Sequence, residues 1–222
     1  MPRLPEVGSR AITNPFVKAI YHNKFGDQEF DTAPGNPFGV KGNWETTVAN
    51  SQEALAIISR SISWMYDTEK FTLPQPLREL ALLRLGWLVQ SQFVFSQRCK
   101  IARSCGVTQD QIDAIPAWPV SDLFSPAERA VLAYTDALTV LDARVPDQLF
   151  NALKQHLTAE QIVDLTHAVN QYIGYAKMSR AFMVEFDTRP DPIIEVAAPE
   201  GFEEHMPVLD ISKAEKTERE SA

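Results

Sequence analysis

Side chains suited to proton transfer cluster on the helix predicted near the end of the globular part of the chain. His167 and Gln171 stand four residues apart, and Gln171 shares a helical stripe with Ala168, Tyr172 and Tyr175. An imidazole can give or take a proton near neutral pH, and a tyrosine hydroxyl can donate to a developing oxyanion. This helix could therefore line a small pocket. Simple packing, with one hydrogen bond each, is the alternative explanation for the two tyrosines.

Charged residues also interrupt a strongly apolar helix predicted for residues 77–89. That segment is apolar on every side apart from Arg78, Glu79, Arg84 and Gly86. An unpaired buried ion costs several kcal/mol, so each charge needs a partner. Glu79 and Arg84 are five residues apart and face different directions, so we expect partners on other helices. Structural ion pairing and a role in a pocket both remain open for them.

The cysteines and the other histidines give weaker signals. Cys99 and Cys105 are too few for a disulfide scaffold, and their spacing of six places them on different faces of one predicted helix. We expect two free thiols. A pair between His156 and His167 is conceivable, but no cluster of Cys or carboxylate residues accompanies it. We therefore expect neither a bound metal nor another cofactor.

Composition and charge limit the classes of function. The chain has 222 residues, of which 45% are hydrophobic and 23% charged, as in globular proteins. Residues 183–222 hold 11 acidic and four basic residues, so they carry −7 of the net −8. The nearly neutral remainder lacks the basic field that nucleic acid or an anionic membrane would attract. Without a stretch of ~18 apolar residues or an apolar leader core, a cytoplasmic location is expected.

These side chains must be positioned by helices, because no segment shows the alternation typical of strands. We predict an all-α domain over residues 43–182, after an irregular segment at 1–42. Capping boxes predict three helix starts, and each box pairs a hydroxyl with a carboxylate or amide three residues later. The boxes are Thr108 with Gln111, Ser125 with Glu128, and Thr158 with Gln161. The helices that they open are predicted to end near Ile115, Leu141 and Phe182.

Apolar spacing and helix-breaking residues predict the remaining elements. These are a short helix at 14–21 with Asn14 as its cap, one long amphipathic helix at 44–66, a helix at 93–104 ended by Gly106, and a short helix at 146–156. A polar break precedes the 93–104 helix and consists of Gln90, Ser91 and Gln92. This break could be a simple turn between two helices.

The tail at 183–222 has too many prolines for a helix, yet it is apolar between Ile193 and Leu209. We expect it to lie extended across its own domain or a neighbouring subunit.

Four segments in a fixed order resemble the carboxymuconolactone decarboxylase family, which includes the alkylhydroperoxidase D proteins. They are LPQPLRELALLRLGWL, IARSCGVTQDQIDAI, FSPAERAVLAYTDAL and NQYIGYAKMSRAF, and together they span residues 73–182. The resemblance implies an alkylhydroperoxidase D-like helical bundle, assembled as homotrimers or hexamers. It also implies that Glu79 matches a family glutamate, that the break at residues 90–92 borders a pocket, and that Gln171 stands where a histidine is common.

The chain departs from both catalytic patterns of that family. Where the peroxidase branch carries two cysteines and a histidine, the resemblance places Ser91, Val94 and Arg98, so thiol peroxidase activity is not expected. The decarboxylase branch commonly reads Tyr-Glu-Trp-x-x-His over residues 93–98, where this chain reads FVFSQR. Arg98 cannot act as a base near neutral pH. It can hold a carboxylate or enolate oxygen and stabilise negative charge.

We therefore hypothesise a cofactor-free lyase or isomerase that acts on a small oxygenated cyclic or aromatic-derived acid, lactone or enolisable ketone. Catalytic roles are assigned to His167 as the mobile-proton residue and to Glu79 and Tyr172 as orienting groups. Arg98 would bind the anionic group. The other substrate-binding residues would be Ser91, Gln97, Gln171 and Tyr175. The alternative is a family member that has lost catalysis and serves as a small-molecule binder or structural oligomer.

Overall fold

The described part of the chain, residues 2–26 and 43–184 of a computed structural model, is helical throughout and contains no strand. Its α-helices are α1 Pro15–Phe25, α2 Asn43–Val48, α3 Gln52–Tyr66, α4 Gln75–Leu88, α5 Gln92–Ser104, α6 Gln109–Ala114, α7 Pro126–Val140, α8 Asp147–Lys154 and α9 Ala159–Phe182. Short 3₁₀ helices occupy Ser9–Ala11 and Ile115–Val120. The predicted all-α class is confirmed. Among these helices, none is both long and apolar enough to cross a membrane.

Two compact units account for the described residues, one formed by 2–70 with 179–184 and the other by 71–178. In the first unit, the Arg60 guanidinium lies 4.3 Å from the centre of the Phe16 ring. The Tyr21 hydroxyl in this unit donates to the Val7 carbonyl oxygen at 2.8 Å. The boundaries at 42 and 182 remain predictions. The expected extended course of the acidic tail concerns residues outside the described ranges.

Our prediction of one long helix over residues 44–66 is wrong, because the chain breaks between α2 and α3. The Ser51 hydroxyl accepts a hydrogen bond from the Ala54 N–H at 3.4 Å and caps α3. Next to it, the Asn50 amide donates to the Thr47 carbonyl oxygen at 2.8 Å and closes α2. Serine and asparagine compete in this way with the helical backbone for hydrogen bonds. The apolar spacing continues across the break, so it predicted one helix although Asn50 and Ser51 end one helix and begin the next.

Four predicted helix starts, at Asn14, Thr108, Ser125 and Thr158, are confirmed by their caps. The Asn14 side chain accepts hydrogen bonds from the first turn of α1, at the Phe16 and Val17 N–H groups. Both halves of each predicted capping box form, at the starts of α6, α7 and α9. These reciprocal bonds satisfy backbone donors that would otherwise have no partner in the first turn. The start of each of these helices is therefore encoded within four residues.

Helix α4 is the central element of the second unit and packs against both α5 and α7. Every residue from Arg78 to Gly86 is buried. Its leucines join side chains from α5, α6, the second 3₁₀ helix and α7 in one hydrophobic core: Leu80, Leu83, Cys99, Ala102, Val107, Ile112, Ile115, Trp118, Phe124 and Leu132. Because α4 is enclosed on all sides, its charged residues can find partners only inside the protein.

Arg84 has such partners on two neighbouring elements, as expected for a buried ion. Its Nε and Nη2 donate to the two carboxylate oxygens of Asp136 on α7, at 2.6 and 3.1 Å. Its Nη1 donates to the carbonyl oxygens of Ile115 and Pro116 at 3.0 and 3.2 Å. The Trp118 indole N–H also donates to Asp136, at 3.2 Å. This network assigns a structural role to Arg84.

Alanine substitution should have opposite effects on stability at two glycines, because α4 and α5 pack closely at Gly86 and no such contact with described residues exists at Gly174. A Cβ atom on Gly86 would lie 3.0 Å from the Phe95 backbone nitrogen and 3.1 Å from its Cα, whereas one on Gly174 of α9 would meet nothing within 4 Å. We expect Gly86→Ala to lower the free energy of unfolding by about 1–3 kcal/mol. Gly174→Ala should raise it by about 0.5–1 kcal/mol through helix propensity. Urea denaturation of both variants measures the difference, and equal shifts would contradict the close approach.

Candidate active site

Three buried charged side chains meet between α4 and α5. Arg78 Nε donates to Glu79 Oε1 at 2.7 Å, and Arg98 Nη1 lies 3.5 Å from Glu79 Oε2. Residue exposures are 2% for Arg78, 0% for Glu79 and 8% for Arg98. We call Arg78, Glu79 and Arg98 the charge cluster. The expectation that Glu79 has a partner on another helix is confirmed by Arg98.

The charge cluster contains one more positive than negative group. Two guanidinium groups flank a single carboxylate, so these three side chains carry a net charge of +1. Burial removes the water that would otherwise solvate this charge, and electrostatic attraction is stronger where water is excluded. A guanidinium in such surroundings can bind a small anion through charge and hydrogen bonds together.

Two tyrosines of α9 lie next to the charge cluster: Tyr172 contacts Arg98, and Tyr175 packs against Tyr172. The Arg98 guanidinium lies 5.1 Å from the centre of the Tyr172 ring, within the range of a cation–π contact. Tyr172 and Tyr175 pack edge to face with ring centres 5.3 Å apart. Burial, and secondarily Tyr172, raises the pKa of Tyr175 well above its ordinary value, while a hydrogen bond with Gln171 opposes the rise. The Tyr175 phenol therefore stays protonated and can act as a hydrogen-bond donor.

Cys105 lies close enough to the charge cluster to be affected by its charges. Its thiol donates to Gln75 Oε1 at 3.6 Å, and the residue is half-buried at the end of α5. Burial raises the pKa of the Cys105 thiol, Glu79 raises it further, and Arg78 and Arg98 act in the opposite direction. The thiol is therefore a weak nucleophile at neutral pH, because the thiolate is the reactive form.

Neither cysteine forms a disulfide, as the sequence predicted. Cys99 is 3% exposed and belongs to the hydrophobic core. A peroxide-reducing cysteine needs access and a lowered thiol pKa. Cys99 lacks the access, and the pKa of the Cys105 thiol is raised and not lowered. The absence of thiol peroxidase activity remains a prediction.

The remaining α5 residues have different surroundings. Ser91 is 1% exposed and caps the helix, since its hydroxyl oxygen accepts from the Val94 N–H at 3.3 Å. Gln97 is half-buried, and within the described residues its buried Nε2 has no hydrogen-bond partner. The structure therefore gives Ser91 a local structural role, and it leaves a donor of Gln97 available inside the protein.

His167 lies apart from the charge cluster. It is exposed, whereas Gln171 is half-buried and Tyr172 and Tyr175 are buried. Five residues along an α-helix correspond to a rotation of about 140°, so His167 and Tyr172 face different directions. The structure brings together Glu79, Arg98 and the two tyrosines, with Gln171 beside Tyr175. It does not bring His167 to them, which differs from our expectation for the mobile-proton residue.

Sequence reasoning missed the contribution of Arg78 to the charge cluster. Arg78 was noted only as one of the charges on an apolar helix, and adjacent residues on a helix do not normally face each other. The side chains of Arg78 and Glu79 nevertheless pair, because full burial leaves neither of them access to water.

Within the described residues, no group of three or more His, Cys, Asp or Glu side chains could hold a metal ion.

Comparison with known proteins places the chain in a family. Residues 62–137 match the model of the carboxymuconolactone decarboxylase family. An uncharacterised Bacillus subtilis (strain 168) protein, YdfG, is 32% identical over 122 residues, which are 53% of this chain and 83% of the relative. The chain belongs to the carboxymuconolactone decarboxylase family. The uncharacterised YnjA of Escherichia coli (strain K12) is 28% identical over 132 residues, 59% of this chain and 69% of YnjA.

Solved structures support the same alkylhydroperoxidase D-like fold. A peroxidase-related protein from Ralstonia eutropha JMP134 with an alkylhydroperoxidase AhpD core has a TM-score of 0.65 at 15% identity, covering 90% of this chain and 97% of its own. A protein of unknown function from Agrobacterium tumefaciens has a TM-score of 0.58 at 23% identity, covering 67% and 97%. The debrominase Bmp8, solved in complex with 2,3,4-tribromopyrrole, has a TM-score of 0.56 at 15% identity, covering 75% and 81%. These likenesses confirm the predicted fold.

Proposed function

We propose that this family member is a cofactor-free acid–base enzyme, a lyase or isomerase, for a small oxygenated ring compound. The substrate would be an oxygenated cyclic or aromatic-derived acid, lactone or enolisable ketone. The observation that supports this proposal is the position of Arg98, whose buried guanidinium lies between the Glu79 carboxylate at 3.5 Å and the Tyr172 ring at 5.1 Å. A planar cation in this position suits a carboxylate or enolate oxygen.

The transition state of such a reaction gathers negative charge on oxygen. Arg98 would hold that oxygen through its guanidinium hydrogens, and the Tyr175 phenol would donate a second hydrogen bond. These groups are fixed by burial before the substrate arrives, so little reorganisation accompanies the reaction. Arg98 and Tyr175 would thus stabilise the enolate, and the Tyr172 ring would orient the guanidinium.

Proton transfer is assigned to Glu79 in place of His167. Oε1 of Glu79 is occupied by Arg78 at 2.7 Å. Oε2 accepts no hydrogen bond from any described residue and has the longer 3.5 Å ion pair with Arg98. This second oxygen could take a proton from a carbon next to the carbonyl group that Arg98 holds, and return it at another position. The exposed His167 would then play no direct part.

The test measures turnover with carboxymuconolactone and hydrogen–deuterium exchange of muconolactone in D₂O. We expect Arg98→Met to lower kcat/KM by about 100-fold or more, because a charge-stabilising donor is lost from a buried site. Arg103→Met is the matched control: it lies on the same helix, its side chain is half-buried, and it donates to Gln109 at 3.1 Å. That variant should keep wild-type activity.

A second candidate function is binding without chemistry, and the exposure of His167 favours it. Calorimetry with the same two lactones distinguishes the candidates. Binding that is lost in Arg98→Met, with neither turnover nor exchange in the wild-type protein, would support a binding protein and contradict the enzyme. Turnover that is unchanged in Arg98→Met would contradict both proposals for this site.

A further inference from the structure

A cleft of about 500 Å³ opens at the junction of α4 and α5. Its lining residues are Gly86, Trp87, Leu88, Gln90, Ser91 and Phe95. The volume falls within the range of small-molecule pockets, which is roughly 300–1,000 Å³. None of the three residues of the charge cluster lines it. The cleft is therefore a separate feature of the second unit.

Two aromatic rings give the cleft its apolar character. Trp87 and Phe95 pack edge to face with ring centres 6.1 Å apart, and Trp87 is 48% exposed. Such an arrangement leaves part of the indole face available for a third ring, because aromatic groups favour offset and edge-to-face contacts.

Gln90 supplies a polar group at the mouth of the cleft, and it does so at a conformational cost. Its φ is +53°, in the left-handed region that favours glycine. The turn is stabilised by bonds from the Gln90 N–H to the Trp87 carbonyl oxygen and from the Ser91 N–H to the Gly86 carbonyl oxygen, both at 3.0 Å. This is the Schellman pattern of helix ends.

The end of α5 provides an internal comparison. The same two bonds form there, from Gly106 to Arg103 at 3.1 Å and from Val107 to Ala102 at 2.9 Å. At that end the left-handed position is held by Gly106, with φ +89°. Glycine thus occupies this position at the end of α5, and glutamine occupies it at the end of α4, where the side chain lines the cleft. Strain of this kind clusters at functional sites.

We propose that the α4–α5 cleft binds a neutral planar ring that carries a hydroxyl or ring N–H group. The ring packs against Trp87 and Phe95, and the Gln90 amide bonds the polar group. The amide can both donate and accept a hydrogen bond, so it selects hydroxylated rings over plain hydrocarbons. Binding here does not depend on the chemistry proposed for Arg98, which recognises an anion.

The experiment uses 6-fluoro-2-naphthol and 2-fluoronaphthalene as probes in ¹⁹F NMR titrations of the full chain. We expect the naphthol to bind about 3- to 10-fold more tightly, the range of one net hydrogen bond. Gln90→Gly should abolish this preference while raising Tm by about 2–4 °C through relief of strain. Gln90→Asn, which keeps an amide and tolerates the left-handed region, should retain part of the preference.

The binding position is checked with the indole N–H signals of the four tryptophans. The signal that disappears in Trp87→Phe should be the one that shifts most on titration, and Trp87→Ala should weaken both probes by about 10-fold or more. The proposal is overturned by equal affinity for the two probes, by a preference that survives in Gln90→Gly, or by a Trp87 signal that does not move. Failure of lactone turnover would leave each of these results unchanged.

Discussion

Replacing Arg84 with methionine should lower the free energy of unfolding by about 3 kcal/mol, the lower end of the range for removing one partner from a buried ion pair, because Arg84 is buried and Asp136 is half-buried. Arg84 connects α4 to the second 3₁₀ helix and to α7 through four hydrogen bonds. Without it, Asp136 keeps only the Trp118 indole N–H among these contacts, and the Ile115 and Pro116 carbonyl oxygens lose a donor. Urea denaturation followed by circular dichroism measures the loss.

Two further variants separate charge pairing from packing at Arg84. Arg84→Lys keeps the charge but cannot bond both carboxylate oxygens in parallel, so it should recover only part of the stability. Arg103 is a half-buried arginine that donates to Gln109 on α6. Arg103→Met should lower the free energy of unfolding by less than about 1 kcal/mol. If Arg84→Met lowers the free energy of unfolding as little as Arg103→Met does, the hydrogen bonds of Arg84 add little to the stability of the second unit.

Glu79→Gln should also destabilise the protein by about 3–5 kcal/mol, because two buried guanidinium groups would then face each other without the carboxylate. Arg78 and Arg98 are 2% and 8% exposed, so water compensates little for the lost charge. Thermal unfolding should show Tm lower by roughly 10 °C. Added benzoate should restore part of the loss, since an anion bound near Arg98 supplies the missing negative charge.

The control for Glu79 is a half-buried carboxylate whose ion-pair partner is exposed. Asp67 pairs with Lys70 at 2.8 Å on the surface of the first unit. Asp67→Asn should change the stability by less than about 1 kcal/mol, and benzoate should have no larger effect on it than on the wild type. Glu79→Gln with wild-type stability would mean that the guanidinium groups are solvated, which would also remove the basis for the anion site at Arg98.

The sequence by itself determined where most helices begin. Asn14, Ser125 and Thr158 satisfy backbone donors within the next few residues, so these starts do not depend on the rest of the protein. The break at Ser51 also follows from a local cap, but the continuous apolar spacing of residues 44–66 led us to predict one helix there. The charges of α4 likewise implied buried pairs before any partner was known.

Only the tertiary structure decided which side chains meet. The partners of Glu79 and Arg84 on other helices come from α5 and α7, and sequence spacing within α4 contains no information about these two partners. The face of α9 that becomes buried was also undecided, because a helix bearing His167 and Tyr172 on different sides can bury either one. Packing buried Tyr172 and left His167 exposed. Local hydrogen bonds fix an element's ends, whereas burial against neighbours fixes its orientation, and burial depends on contacts between residues distant in sequence.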